Sequence, residues 1–150
     1  MARISICKQE GLDWVQGKPN PGSTDPSGAS RQRHLGNDGE PQLFEVRAEP
    51  GMQAEVHAHE KDEVIYIVAG QMLFGQHKLN PGDSLMVPGN MLYSFKAGPD
   101  GLQFLNFRGQ KDVTYYRKDE FQKLQTLEAG ERAEYREVLI QRRAEQRGWG

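Results

Sequence analysis

Apolar and polar residues alternate along the middle of the chain. Short runs over Gln42–Ala48, Ala54–His59, Glu63–Val68, Gln71–Phe74, Ser84–Val87, Leu92–Lys96 and Leu102–Phe107 each predict a short β-strand. Between them stand Pro50-Gly51, Asn80-Pro81-Gly82-Asp83, Pro88-Gly89-Asn90 and Gly98-Pro99-Asp100-Gly101. These are turn formers, because proline presets φ and glycine accepts positive φ. Gly75-Gln76 suits a two-residue hairpin with the glycine at positive φ. No helix-length segment interrupts the series, which predicts an all-β antiparallel sandwich or barrel and argues against a parallel α/β sheet.

The flanks differ. Residues 1–40 form an arm with little periodicity, rich in turns at Lys18–Ser23 and Asp25–Gly28, with short strands expected at Ile4–Cys7 and Arg31–Leu35. Residues 41–110 hold the strand series. Residues 111–150 change to helical spacing: Phe121, Leu124 and Leu127 precede Gly130, a C-cap candidate, and Tyr135, Val138 and Leu139 share one side of a second helix over Glu131–Arg147. A helical pair of that size packs on the barrel or on a second subunit. The whole reads as one domain.

Composition narrows the function. A chain of 150 residues buries an adequate core without covalent staples, and its one cysteine, Cys7, forms no internal bridge. Neither a secretory leader nor a spanning segment is visible, so a cytoplasmic protein without a membrane partner is expected. Net charge is −2 with both signs interspersed, which argues against nucleic acid as a partner. The basic cluster Arg142, Arg143 and Arg147 reads as the solvated face of a helix.

The chemistry concentrates between Gly51 and Gly70. His57 and His59 are two apart, so on a strand both rings point to one face. Glu63 follows after the Glu60-Lys61-Asp62 turn, and a hairpin there returns it beside the histidines. Two imidazoles and a carboxylate suit a divalent ion of iron, manganese, nickel or zinc and leave positions open for substrate or water. The plainer alternative has the histidines at a rim and Glu63 paired with Lys61. Gln53, Glu55, Ile65 and Ile67 share the inward alternation, whereas Tyr66 falls on the opposite face and reads as packing. Arg47 or Arg108 could offer a cation to an anionic substrate. His77 lies just past the hairpin turn and reads as exposed; His34 reaches the site only if its segment folds across it.

Gly51-x5-His57-x-His59-x3-Glu63-x6-Gly70 resembles the first motif of the cupin superfamily at every defining position, as in small RmlC-like cupins. Gly82-Asp83-Ser84-Leu85-Met86-Val87-Pro88 resembles the start of the second. The resemblance spans about Gln42 to Phe107. It implies a jelly-roll β-barrel, a divalent transition metal on His57, His59 and Glu63, and a homodimer. Where the family usually has a third histidine, this chain has Tyr93. That phenol can ligate the ion, hold a bound water, or close the pocket as a packed aromatic.

Three functions follow as expectations. One is a metal-dependent enzyme on a small organic substrate, of oxygenase, isomerase or lyase type, with Glu63 or Tyr93 handling a proton. The others are a non-catalytic module sensing a small ligand or metal, and a barrel whose metal is structural. A closed site favours the last, an open coordination position the first.

Overall fold

The structure, a computed structural model, describes residues 3–18 and 28–147, so most of the turn-rich stretch of the arm lies outside the described residues. The strands are β1 (Val15–Gln16), β2 (Ala29–His34), β3 (Gln42–Ala48), β4 (His57–Ala58), β5 (Glu63–Phe74), β6 (His77–Leu79), β7 (Ser84–Val87), β8 (Lys96–Arg108) and β9 (Tyr116–Arg117). Two helices follow, α1 (Lys118–Leu124) and α2 (Ala129–Arg147). The main sheet has seven antiparallel strands in the order β1-β2-β3-β8-β5-β6, with β7 also on β5; β4 and β9 make a second, two-stranded sheet.

The expected barrel is not closed by hydrogen-bonded strands. Its second wall consists of β4–β9 and two isolated bridges, Gln53↔Lys96 and His57↔Tyr93. Short irregular segments there aim polar side chains inward, at the expense of regular pairing. Ile65, Ile67, Met72, Val87, Tyr93, Phe95 and Phe104 fill the space between the walls. Along β5 burial alternates strictly, with Glu63, Ile65 and Ile67 inside and Val64, Tyr66 and Val68 outside, as the period predicts.

Some boundaries moved. Ile4 and Ile6 are exposed and belong to no strand; the first paired segment is Val15–Gln16. The two runs on either side of Gly70 merge into β5. Gly70 takes φ +70° and a Cβ there would overlap the Gly101 carbonyl oxygen, so this position needs glycine twice over. Gly98–Gly101, expected as a turn, lies within β8 as a bulge, because the register passes from Gly70↔Leu102 to Met72↔Ala97. Gly75, at φ +57°, makes the expected hairpin between β5 and β6.

At the C-terminus, Gly130 lies in the first turn of α2 and does not cap α1. The Arg132 side chain takes the capping role, donating to the carbonyls of Leu124 and Leu127, each at 2.9 Å. Two of the three arginines expected to face solvent are engaged: Arg142 pairs with Glu120 at 2.5 and 2.9 Å, and Arg143 lies 3.8 Å over the Tyr115 ring. Arg136 clamps Glu60 at 2.6 and 2.9 Å, which fixes α2 against the turn between His59 and Glu63. No described helix is long and apolar enough to cross a membrane.

Candidate metal centre

His57 and Tyr93 exchange backbone hydrogen bonds of 3.0 and 2.9 Å, which prolongs the pairing beyond the two residues of β4. Because His57 and His59 are two apart on extended chain, both rings enter the interior, where they are 5% and 8% exposed. The turn that follows is held from outside: Gly89 donates to Asp62 at 2.7 Å and Asn90 donates to the His59 carbonyl at 2.6 Å. Glu63, the first residue of β5, thereby arrives inside at 1% exposure.

Each imidazole is oriented through Nδ1. His57 Nδ1 lies 2.7 Å from the Glu55 carbonyl oxygen and His59 Nδ1 lies 2.5 Å from that of Thr114. A carbonyl only accepts, so each Nδ1 carries the proton and each Nε2 keeps its lone pair. Burial, foremost, disfavours the imidazolium. His57 is lowered to about 4, with Arg143 and Arg108 adding to the effect of burial while the Glu55 carbonyl and Glu63 oppose it. For His59, burial, then Arg108 and His57, hold it well below the usual histidine range.

Glu63 is gripped at both oxygens. Oε2 accepts from Asn106 Nδ2 at 2.9 Å and from Arg108 Nη2 at 3.1 Å. Oε1 accepts the Tyr93 hydroxyl and stands 4.0 Å from His59 Nε2. Burial, and then the Glu63 carboxylate, push the Tyr93 phenol well above its ordinary value, so it keeps its proton. Glu63 is thus no surface carboxylate on Lys61.

The donor chemistry fits a divalent transition ion: two neutral imidazoles presenting Nε2, and one carboxylate whose Oε2 is anchored while Oε1 faces them. Two ligands of one ion, each bonded at about 2.0–2.2 Å, stand no more than roughly 4 Å apart. The 4.0 Å between His59 Nε2 and Glu63 Oε1 is at that outer limit. Accordingly, no three His, Cys, Asp or Glu side chains among the described residues are gathered closely enough to hold an ion as they stand. Binding requires a small inward shift, and the group in competition at Oε1 is the Tyr93 hydroxyl.

A layer of rings closes the site. Tyr115 stacks on His57 at 4.6 Å between centroids, with Arg143 of α2 beyond it, and Tyr93 packs against His57 at 4.5 Å. Ile65 and Ile67 are core residues, as their alternation requires. Glu55 accepts the Tyr115 hydroxyl at 2.8 Å, while Gln53 is exposed and bonds Ser94 and neighbouring carbonyls. His77 is exposed on β6, and His34 on β2 lines a surface recess with Arg3 and Arg33. Arg47 lies over Trp14, 4.5 Å from the ring centroid. Asn106 was not singled out by sequence, yet it shares the inward alternation of Phe104 and Arg108 on β8. Thr114 and Tyr115 carry no sequence signal, since they reach the site from an irregular segment.

No protein-family model matches the chain, and no curated protein matches its sequence. Solved structures do match in fold. A cupin-2 domain protein from Rhodospirillum rubrum superposes with a TM-score of 0.59 at 18% identity, covering 93% of this chain and 97% of that one. A putative acetylacetone dioxygenase from Methylibium petroleiphilum gives 0.61 at 13% identity, over 80% and 85% of the two chains. A polyketide cyclase from Streptomyces resistomycificus gives 0.56 at 16% identity, over 85% and 94%.

Proposed function

We propose that this protein, a chain with the cupin fold, is a metal-dependent enzyme acting on a small organic molecule, with its divalent ion on His57, His59 and Glu63. The observation that carries this reading is the pair of Nδ1–H bonds to the Glu55 and Thr114 carbonyls, which fixes both rings with Nε2 turned to the interior. Such anchoring is what ligating histidines need and what core histidines do not require at both positions. Iron, manganese, nickel and zinc all suit the donor set. The ion would supply Lewis acidity and, if iron, redox capacity. Proteins of the same fold described as a putative dioxygenase and a polyketide cyclase support enzymatic chemistry here.

The chain's own groups define the rest. Tyr93 holds a proton at its hydroxyl, in contact with Glu63 Oε1, where it can be donated to a substrate oxygen. Asn106 and Arg108 keep Glu63 oriented, and Tyr115 with Arg143 covers His57. Metal analysis of untagged protein tests the reading. Up to one divalent ion per chain is expected, and none in the combined His57→Ala, His59→Ala variant. Equal metal content in both would refute the ligand assignment.

One observation favours a structural ion instead. His57, His59, Glu63 and Tyr93 are all buried beneath the Tyr115 layer. An ion that exchanges only on unfolding, in a protein without catalytic turnover, would decide for that role. A homodimer accords with the apolar outer row Met86, Val64 and Phe107, paired across β7, β5 and β8 and exposed at 59%, 40% and 45%. Light scattering at micromolar concentration tests it.

A further inference from the structure

We infer that a small cavity behind His59 is a binding site for one small monovalent anion of halide size. The cavity has a volume of about 30 Å³ and is walled by Ser30, Phe44, His59, Arg108, Thr114 and Arg143. It lies between the inner face of β2, β3 and β8, the segment before β9, and α2.

Two buried polar groups in this wall have no partner among the described residues. Arg108 is 3% exposed and spends Nη1 on the Asp112 carbonyl at 2.5 Å and Nη2 on Glu63 at 3.1 Å, which leaves Nε–H unpaired. Ser30 is 2% exposed and its hydroxyl is unpaired. Buried donors left without acceptors are costly, and native structures supply a partner from protein, water or an ion. The Phe44 ring covers one face of the Arg108 guanidinium, its centroid 5.1 Å away, so the unpaired N–H must find its acceptor in the guanidinium plane.

The character of the wall selects the occupant. Two of its residues carry guanidinium groups and none carries a carboxylate. The Asp112 carboxylate just outside is taken by the backbone amides of Lys61 and Thr114 and by the Thr114 hydroxyl. An anion accepts from Nε–H and from the serine hydroxyl together, beside a guanidinium whose opposite edge is paired with Glu63. Roughly 10–15 Å³ suffices for one water, so the volume matches a single halide. The site adjoins the proposed metal ligands through His59 and Arg108 but does not require an ion there: it fixes Arg108 from behind, whatever Glu63 holds in front.

Bromide is the probe. In gluconate buffer at constant ionic strength, replacing about 100 mM gluconate by bromide should raise the melting temperature by about 4 °C. Crystals grown in bromide should show an anomalous peak within hydrogen-bond distance of Arg108 Nε and Ser30 Oγ. Ser30→Ala removes one donor and should cut the bromide-dependent rise at least threefold. Ser30→Asp places a tethered carboxylate in the cavity and should abolish it. Equal melting temperatures in the two salts, a water with no anomalous signal, or an undiminished rise in Ser30→Ala would each overturn the assignment.

Discussion

The hydroxyl of Tyr93 donates to Oε1 of Glu63, so the residue that departs from the cupin pattern is bonded to the carboxylate that keeps it. The other oxygen of that carboxylate is held by Asn106 and Arg108. Under the proposed metal reading, Tyr93 is the group that would either yield to an ion or join it.

The tyrosine can be read optically. If Tyr93 ligates the ion, the protein loaded with Fe(III) will show a visible phenolate-to-iron charge-transfer band, and Tyr93→Phe will bleach it. Tyr93→His will tighten binding by restoring the usual imidazole. A colourless ferric form, with affinity unchanged in Tyr93→Phe, would leave the hydroxyl as a proton donor beside the site.

Replacing Glu63 with Gln keeps its size but removes the anionic oxygen from Tyr93, Asn106 and Arg108. Metal affinity should fall by about tenfold or more. Stability should drop by about 3 kcal/mol, because Arg108 is left buried beside an uncharged partner. Calorimetric titration with zinc and urea unfolding measure the two effects, and unchanged affinity would exclude Glu63 as a ligand.

Stability of the metal-free protein should depend on pH through the buried histidines. His57 titrates at about 4 when folded, against 6.5 as its ordinary value. Between those values the unfolded chain binds the extra proton, so stability rises with pH across that window and is lost as pH falls toward 4. The displacement amounts to about 3 kcal/mol for His57 alone. Urea midpoints from pH 7 to 4 in the presence of chelator should show this slope, and His57→Gln should flatten it.

The two motif glycines should differ in tolerance. Gly70 combines φ +70° with backbone contact to Gly101, whereas Gly51, at φ +75°, faces open space. Gly70→Ala should cost about 3 kcal/mol or more, and Gly51→Ala about 1 kcal/mol. Equal urea midpoints for the two variants would contradict the close approach.

The sequence by itself determined the local elements. Strict alternation from Glu63 to Val68 placed Ile65 and Ile67 in the core and Tyr66 outside, because side-chain direction on a strand has period two. The same rule put His57 and His59 on one face and brought Glu63 inside after a short turn. Helical spacing located α1 and α2, and Gly75 marked the hairpin. What only the tertiary structure decided depends on residues far apart in the chain. Gly98–Gly101 has turn composition, but pairing with β5 on both sides absorbs it as a bulge. Gly130 has the composition of a cap, but the Arg132 side chain meets the carbonyls of Leu124 and Leu127 instead. The Nδ1 partner of His59 is Thr114, 55 residues away, and the partners of Glu63 lie 30 to 45 residues away. Hydrophobic periodicity records which way a side chain faces; it does not record which polar group waits opposite, and that choice fixes tautomers, charges and the unpaired edge of Arg108.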